Sequence, residues 1–389
     1  MTSTAPTTVG ELRVGIVGTG FMGVAHTEAL RRLGIPVKGV VGSTPARARA
    51  KAVQANLPAA YESLNALLAD DEINAVHITS PNHLHYEQVV EVLNARKHVI
   101  CEKPLAVSVE EGQDLLHRAE TSGLVHAVCF NQRYYPLVHQ ARAMVTGNEV
   151  GAVRLVSGGY LQDWLLFETD WNWRLVAGKG GPLRAVADIG SHWFDNIEFI
   201  TGARITEVIA DLHTFHRERN HPVGEVETFA AASNGTERVI EPMTSDDAAG
   251  VLLRFDNGAR GTCTISQVSA GRKNFLNWEI DGTDSAISWN TENPEDLWFG
   301  HRGRPNQVVK RDPSMLHPTA AAIANYPAGH VEGYPDTFRS LFNDVYAHIV
   351  RGGSGPATYP TFADGLRSLQ VCSAVADSSM TRRWTAVSS

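Results

Sequence analysis

Short apolar runs alternate with amphipathic stretches along the first third of the chain. Leu12–Val17, Val37–Val41, Ala75–Thr79, Val99–Cys101 and Leu124–Phe130 have the length and apolar content of buried strands. Between them, Val24–Leu33, Pro45–Ala55, Tyr86–Ala95 and Glu110–Thr121 read as helices and Ser63–Leu68 as an amphipathic segment. Strands and helices in this alternation predict a parallel sheet with right-handed crossovers. From about Val150 the pattern changes. Ala152–Tyr160 and Ile205–His213 read as strands, followed by two hairpins. Val251–Phe255 and Arg260–Ser266 flank the turn Asp256-Asn257-Gly258, and Phe275–Ile280 and Ala286–Trp289 flank Asp281-Gly282-Thr283-Asp284. Leu297–Gly300 adds a strand, and helices Tyr334–Val350 and Thr361–Ser379 close the chain. Arg217–Ser245 and His301–Ala328 are Pro-containing and poorly periodic, and are expected to be surface excursions.

The first strand runs into Gly18-Thr19-Gly20-Phe21-Met22-Gly23 and then a helix. That is the order a dinucleotide-binding unit needs, because the glycines allow a tight turn and bring the backbone close to a pyrophosphate at the helix N-terminus. The fold class expected is therefore α/β. Residues 1–10 would be a flexible start, 11–133 a Rossmann domain with a parallel sheet, and 134–389 an α+β domain with a large, mostly antiparallel open sheet. One face of that sheet needs helices over it, and an uncovered apolar face favours self-association as a homodimer or homotetramer.

The polar groups of the first domain come directly after its strands, on the carboxyl edge where such sheets bind ligands. Besides the glycine turn these are Ser43, Ser80, Asn82 and His85, Glu102 and Lys103, and Asn131 with Arg133. Lys103 emerges where Pro104 forces the chain to turn. The second strand ends in Gly42, Ser43 and Thr44 rather than an acid, with Arg47 a helical step beyond. Such an end does not repel a 2′-phosphate, and Ser43 and Arg47 can hydrogen-bond one, which favours NADP over NAD. Ser43 and Thr44 also serve as caps for the helix from Pro45. In the second domain, Asp188 and His192 lie four residues apart beside an apolar stripe of Ile189, Trp193, Ile197 and Ile200. The pair could serve as base and orienting carboxylate, or be a helix-start acid and a partly buried histidine.

Composition narrows the classes without naming one. Hydrophobic residues are 43%, charged residues 20% and the net charge is -8, as in an ordinary globular protein and against a nucleic-acid or anionic-membrane binder. No apolar run approaches membrane-spanning length, and the start lacks a signal peptide's apolar core. Cys101, Cys129, Cys263 and Cys372 form neither a CxxC nor a disulfide framework, so reduced thiols in a cytoplasmic protein and no metal are expected.

The ordered set of the glycine turn, Thr79-Ser80-Pro81-Asn82-His83-Leu84-His85, Glu102-Lys103-Pro104 and Asp188-Ile189-Gly190-Ser191-His192 resembles the Gfo/Idh/MocA family of sugar and inositol oxidoreductases over essentially the whole chain. Gly159–Trp164, with Trp173-Arg174 after it, is similar to the levoglucosan and glycoside dehydrogenase branch. The resemblance implies that Lys103, Asp188 and His192 meet at the nicotinamide. Cofactor contacts are expected from Gly18, Gly20, Phe21, Met22, Gly23, Ser43, Thr44, Arg47, Ser80, Asn82, His85, Glu102, Lys103 and Asn131, with Trp173 and Arg174.

Hydride transfer from a secondary alcohol releases the hydroxyl proton, and a nearby cation lowers the cost of the developing alkoxide. His192 is assigned as principal acid/base, Lys103 as polariser and relay partner, and Asp188 as orienter, with the reverse split between lysine and histidine open. Aromatic faces suit pyranose C–H faces and polar groups its hydroxyls. Substrate contacts are therefore expected from Arg133, Tyr160, Asp163, Trp164 and His330, together with Lys103, Asp188 and His192. The function expected is an NAD(P)-dependent dehydrogenase of a sugar, anhydrosugar or inositol. The alternatives are a glycosidase that retains its NAD, and a non-catalytic nucleotide- or sugar-binding regulator.

Overall fold

The computed structural model describes residues 8–176, 178–222 and 238–388. The chain divides into two compact units, one of Met1–Asn131 with Pro335–Leu366 and the other of Gln132–Tyr334 with Arg367–Ser389. The return of Pro335–Leu366 to the first unit differs from the single boundary near residue 133 read from the sequence. Of the stretch expected to be flexible, residues 1–7 lie outside the described residues.

In the first unit the elements follow in order as Val14–Val17 (β1), Phe21–Arg32 (α1), Val37–Val41 (β2), Pro45–Gln54 (α2), Ala59–Tyr61 (β3), Leu64–Leu68 (α3), Ala75–Ile78 (β4), His85–Asn94 (α4), His98–Cys101 (β5), Val109–Ser122 (α5) and His126–Val128 (β6). The six strands pair in parallel in the order β3-β2-β1-β4-β5-β6. The order reverses between β1 and β4, which marks the switch point where open parallel sheets bind ligands. Every residue of β1 and β4 is buried, as expected of strands covered on both faces. His77 is the one titratable side chain in those two strands.

The second unit contains Pro136–Thr146 (α6), Val153–Leu161 (β7), Ser191–Thr201 (α7), Ile205–His213 (β8), Glu218–Pro222 (β9), Arg238–Pro242 (β10), Ala248–Phe255 (β11), Arg260–Ser266 (β12), Phe275–Gly282 (β13), Ser285–Asn290 (β14), Asp296–His301 (β15), Gln307–Lys310 (β16) and Pro318–Ala321 (α8). Helices Tyr334–Val350 (α9) and Phe362–Thr381 (α10) and the short strand Thr385–Ala386 (β17) complete the chain. Nine strands form one sheet, β16-β15-β14-β13-β7-β12-β11-β8-β17, antiparallel except where β12 runs parallel to β7. Burial alternates along β11, β12 and β13, so one face supplies the core and the other does not. The core face packs against Leu137, Val138, Ala141 and Met144 of α6, Trp193, Ile197 and Ile200 of α7, and Val371 and Val375 of α10. On other strand positions Leu155, Leu252 and Val308 are about half exposed.

Three local expectations change. The stretch 217–245 is not wholly irregular, since β9 and β10 pair within it, while 223–237 lie outside the described residues. The stretch 301–328 contributes β16 and α8. The helix expected to begin within Ala187–Trp193 opens instead as a π turn, Val186–Gly190, before α7. Its i→i+5 bonding means that Asp188 and His192 are not stacked by plain α-helical spacing.

Candidate active site

The glycine turn has the geometry of a diphosphate cradle. Gly18 sits at φ +115°, in the left-handed region, and a Cβ there would lie 2.5 Å from Thr79 Oγ1. A Cβ on Gly23 would come 2.3 Å from the Gly18 carbonyl oxygen, so α1 can approach the turn only with glycine there. Gly20 caps α1 without a side-chain bond, and a Cβ on it would meet nothing within 4 Å. No acid lies in the first turn of α1, and its amide groups suit an anion approaching through the open space at Gly20. Phe21 is exposed and Met22 half-buried beside it. These residues fit a dinucleotide.

At the end of β2, Thr44 Oγ1 accepts from the Arg47 amide at 3.2 Å and caps α2. Arg47 Nη1 lies 3.3 Å from Ser43 Oγ, and both side chains are exposed. After β4, Ser80 Oγ donates to Gln88 Oε1 at 2.5 Å. His85 is buried between the turns after β4 and β5, with Nδ1 2.8 Å from the Pro104 carbonyl and Nε2 2.9 Å from the Ser80 carbonyl, and a neutral ring donates to one of the two. Burial pushes its pKa down despite those two acceptors. Asn82 is buried, as is Asn131, whose Nδ2 donates to Thr337 Oγ1 at 2.8 Å. Lys103 is half-buried, and its amide donates to Glu102 Oε2 at 3.1 Å. The parallel order puts the glycine turn, Asn82 and His85, and Lys103 on three neighbouring strand ends, β1, β4 and β5.

Sequence reasoning missed the groups behind Glu102. His26 of α1, fully buried, has Nε2 2.9 Å from Glu102 Oε1 and Nδ1 2.8 Å from His77 Nδ1. His77 Nε2 in turn lies 2.7 Å from the Tyr346 hydroxyl on α9. The available signal was a histidine in a strand with no exposed face, since a buried polar group must find a partner. His26, Glu102 and Cys129 bring ligand-type atoms within 4.8 Å of one another. Burial, then the neighbouring Glu102, push the Cys129 thiol well up. His26 Nε2 is bonded to Glu102 Oε1 at 2.9 Å and lies 3.8 Å from Cys129 Sγ, so the three side chains form one buried contact.

In the second unit, Asp188 is held from two sides. Arg174 Nε lies 3.2 Å from Oδ1, and Gln267 Nε2 donates to Oδ2 at 2.8 Å. Gln267 Oε1 accepts from Arg184 Nη1 at 2.8 Å, and Arg184 pairs with the buried Asp247, which also takes Arg219 at 3.0 Å. Gln267, Arg184 and Asp247 were not read from the sequence. Arg174 also stacks over the Trp173 ring at 4.5 Å. His192 is 6% exposed, with its ring 6.3 Å from the Tyr160 ring.

The expected substrate contacts are largely engaged within the second unit. Tyr160 is buried and its hydroxyl donates to Asn274 Oδ1 at 2.5 Å, while burial pushes its pKa far up, so it stays a phenol. Asp163 pairs with Lys273 at 2.7 Å and accepts from the Gly271 amide at 3.0 Å. Trp164 Nε1 donates to Gln162 Oε1 at 2.8 Å. Arg133 forms a two-point ion pair with Asp195, its Nε 2.7 Å from Oδ2. His330 is exposed on its loop.

Residues 12–130 match the family model described as the NAD-binding Rossmann fold of the Gfo/Idh/MocA oxidoreductases, and residues 138–288 match the model of that family's C-terminal domain. The chain is 30% identical to levoglucosan dehydrogenase of Pseudarthrobacter phenanthrenivorans over 97% of its own length and 98% of that protein. Among solved structures, levoglucosan dehydrogenase in complex with NADH and levoglucosan superposes with a TM-score of 0.85 at 28% identity, covering 97% of this chain and 99% of the other. An oxidoreductase domain protein from Kribbella flavida gives 0.87 at 31% identity, covering 98% and 100%.

Proposed function

The chain belongs to the Gfo/Idh/MocA oxidoreductase family, and from that premise we propose that it oxidises a secondary hydroxyl of an anhydrosugar, pyranoside or inositol with a nicotinamide dinucleotide. The observation that carries the reading is the carboxyl edge of the parallel sheet. There the open cradle at Gly20 and the turn bearing Lys103 flank the end of β4. Two strand spacings, roughly 10 Å, separate those turns, a distance suited to holding the diphosphate at one and reacting atoms near the other. Likeness to levoglucosan dehydrogenase over nearly the whole of both chains supports an anhydrosugar as the first substrate to try.

Gly18, Gly20 and Gly23 would hold the diphosphate of a dinucleotide at the start of α1, and its nicotinamide would supply the hydride acceptor. Lys103 stabilises the negative charge that grows on the substrate oxygen as the C–H bond breaks. His192 takes the hydroxyl proton. Asp188 serves as orienter. Arg174 Nε lies 3.2 Å from one of its oxygens and Gln267 Nε2 donates to the other at 2.8 Å, which fixes the plane of the carboxylate. Ser43 and Arg47, with no acid after β2, adapt the ribose end to a 2′-phosphate, so NADP is used as well as NAD. Association through the exposed sheet face with Leu155 and Leu252 would give a homodimer or homotetramer.

The test is to incubate the protein with NAD or NADP and levoglucosan, glucosides and inositols, following reduced nicotinamide and products together. Net reduction with at least one substrate is expected. Glycoside cleavage without net reduction, or binding alone, would overturn the reading. Lys103→Ala and His192→Ala should each lower kcat a hundredfold or more, in line with removing a general acid/base, with cofactor binding kept within about threefold. Near-normal turnover in either variant removes that residue from the mechanism.

A further inference from the structure

We propose that Tyr346, His77 and His26 form a one-way hydrogen-bond chain that ends on Glu102 and fixes the turn carrying Lys103, making the three positioning residues. The chain runs through three elements of the first unit, α9, β4 and α1, to the residue after β5. Its links are 2.7 Å from the Tyr346 hydroxyl to His77 Nε2, 2.8 Å between the two Nδ1 atoms, 2.9 Å from His26 Nε2 to Glu102 Oε1, and 3.1 Å from the Lys103 amide to Glu102 Oε2. Tyr346, His77 and His26 are at most 1% exposed and Glu102 is 5% exposed, so water does not compete for these groups. Phe342 packs edge-on against both imidazoles, with ring centroids at 4.8 and 4.7 Å.

The direction follows from counting hydrogens. Two Nδ1 atoms in contact can share only one proton, so one ring donates and the other accepts. Burial holds the His77 pKa well below its usual value and the Tyr346 pKa well above. His77 is therefore a neutral ring and Tyr346 a phenol. If Tyr346 donates to His77 Nε2, His77 must carry its proton on Nδ1 and donate to His26. His26 then carries its proton on Nε2 and donates to Glu102 Oε1. Every hydrogen is used. In the opposite direction Tyr346 would receive from His77 and its own hydroxyl proton would need another acceptor, yet among the described residues its hydrogen-bond partner is His77. The opposite direction would also set two bare acceptors, His26 Nε2 and Glu102 Oε1, 2.9 Å apart, with the weak thiol donor of Cys129, 3.8 Å from Nε2, beside them.

With this direction, each carboxylate oxygen of Glu102 receives one N–H, from His26 on one side and from the Lys103 backbone on the other. Glu102 is thereby pinned, and the backbone at Lys103 is set relative to α1, the helix that presents the glycine cradle. His26 lies three residues beyond Gly23, so the chain couples the cofactor turn to the lysine turn. The effect on turnover rests on the role proposed above for Lys103, whereas the chain and its direction do not.

Two measurements on the full-length protein test this separately. Tyr346→Phe keeps the ring and removes the hydroxyl. It should speed hydrogen exchange at the Lys103 amide at least tenfold while leaving the amides of β1 unchanged, and nitrogen NMR of the wild type should show His77 protonated at Nδ1 and His26 at Nε2. Unchanged exchange at Lys103, or the opposite tautomers, overturns the chain. With a substrate that the wild type turns over, Tyr346→Phe should lower kcat three- to tenfold with KM and cofactor affinity within twofold. In a Lys103→Ala background the same change should alter kcat by less than twofold. An equal loss in both backgrounds would overturn the positioning role, because the hydroxyl would then act elsewhere. A wild type that reduces no cofactor with any substrate sinks the dehydrogenase reading alone, and the exchange and tautomer results still decide the chain.

Discussion

The ribose end of the cofactor site turns on single residues, and the space around each decides which substitution is informative. Gly42 takes the place after β2 where an acid selects NAD, but a Cβ there would lie 2.9 Å from the Ala48 amide nitrogen and 3.2 Å from the Thr44 carbonyl oxygen. An aspartate at 42 would therefore disturb α2 before it met any ribose. Ser43 is exposed and already bonded to Arg47, so Ser43→Asp puts a carboxylate at the same end without a backbone clash. It should pair with Arg47 and repel a 2′-phosphate, lowering the NADP-to-NAD ratio of kcat/KM about tenfold or more, the scale of one lost charge-assisted contact. A ratio unchanged by Ser43→Asp would remove Ser43 and Arg47 from cofactor selection. What was legible at this scale is what backbone geometry demands. Glycines that no side chain can replace, a threonine before a proline at a helix start and a lysine after a buried strand announce themselves in the sequence. His26 and Gln267 do not, because their meaning lies in partners at Glu102 and Asp188, 76 and 79 residues away.

Elements were legible where local chemistry fixes them. The hairpin of β11 and β12 is announced by Asn257-Gly258, and Gly258 does adopt φ +87°. The π turn before α7 was not legible, since its sequence carries an ordinary helical stripe. It is bracketed by tertiary bonds: Asp246 accepts from the amide groups of Arg184 and Val186 at 2.6 and 2.8 Å. Beside it, Asp247 pairs with both Arg184 and Arg219, and all three are at most 3% exposed. Burial alone would raise the Asp247 pKa, but the two guanidinium groups hold it below the usual carboxylate value. Asp247→Asn would leave two buried cations with half-strength partners. Removing one member of a buried ion pair costs roughly 3–5 kcal/mol, and a loss of that size is expected in urea unfolding of the variant. Because Arg184 also holds Gln267, and Gln267 holds Asp188, the folded fraction should show weakened turnover too. A variant within 1 kcal/mol of the wild type would mean that the Asp247 charge is not what holds Arg184 and Arg219 in this cluster.

Across the whole molecule the fold class was readable from strand and helix alternation, whereas the return of Pro335–Leu366 to the first unit was not. Apolar periodicity identifies α9 as a helix without saying which sheet it covers. That return completes the surroundings of several buried histidines, and these set the acid limit of the fold. His126 Nδ1 accepts from the Phe362 amide at 3.3 Å, and His98 Nδ1 accepts from the Val125 amide at 3.0 Å. Both rings must be neutral at Nδ1 to do so. Burial pushes His98 and His126 down to about 4, at His126 against an upward pull from Asp364, and pushes His139 in the second unit to about 3. An unfolded histidine binds its proton near pH 6.5, as reference values have it. Above that pH both states are neutral and nothing is lost. As pH falls from about 6.5 toward 4, the unfolded chain takes up protons that the folded chain refuses, so stability declines by about 1.4 kcal/mol per histidine for each pH unit. Urea unfolding at pH 7.5 and 5.5 should therefore give a clearly lower stability at the acid value. Carbon NMR of the folded protein at pH 5.5 should still find His98, His126 and His139 neutral. Protonated rings in the folded state, or a stability that holds level or rises on acidification, would show that these histidines do not control the acid limit.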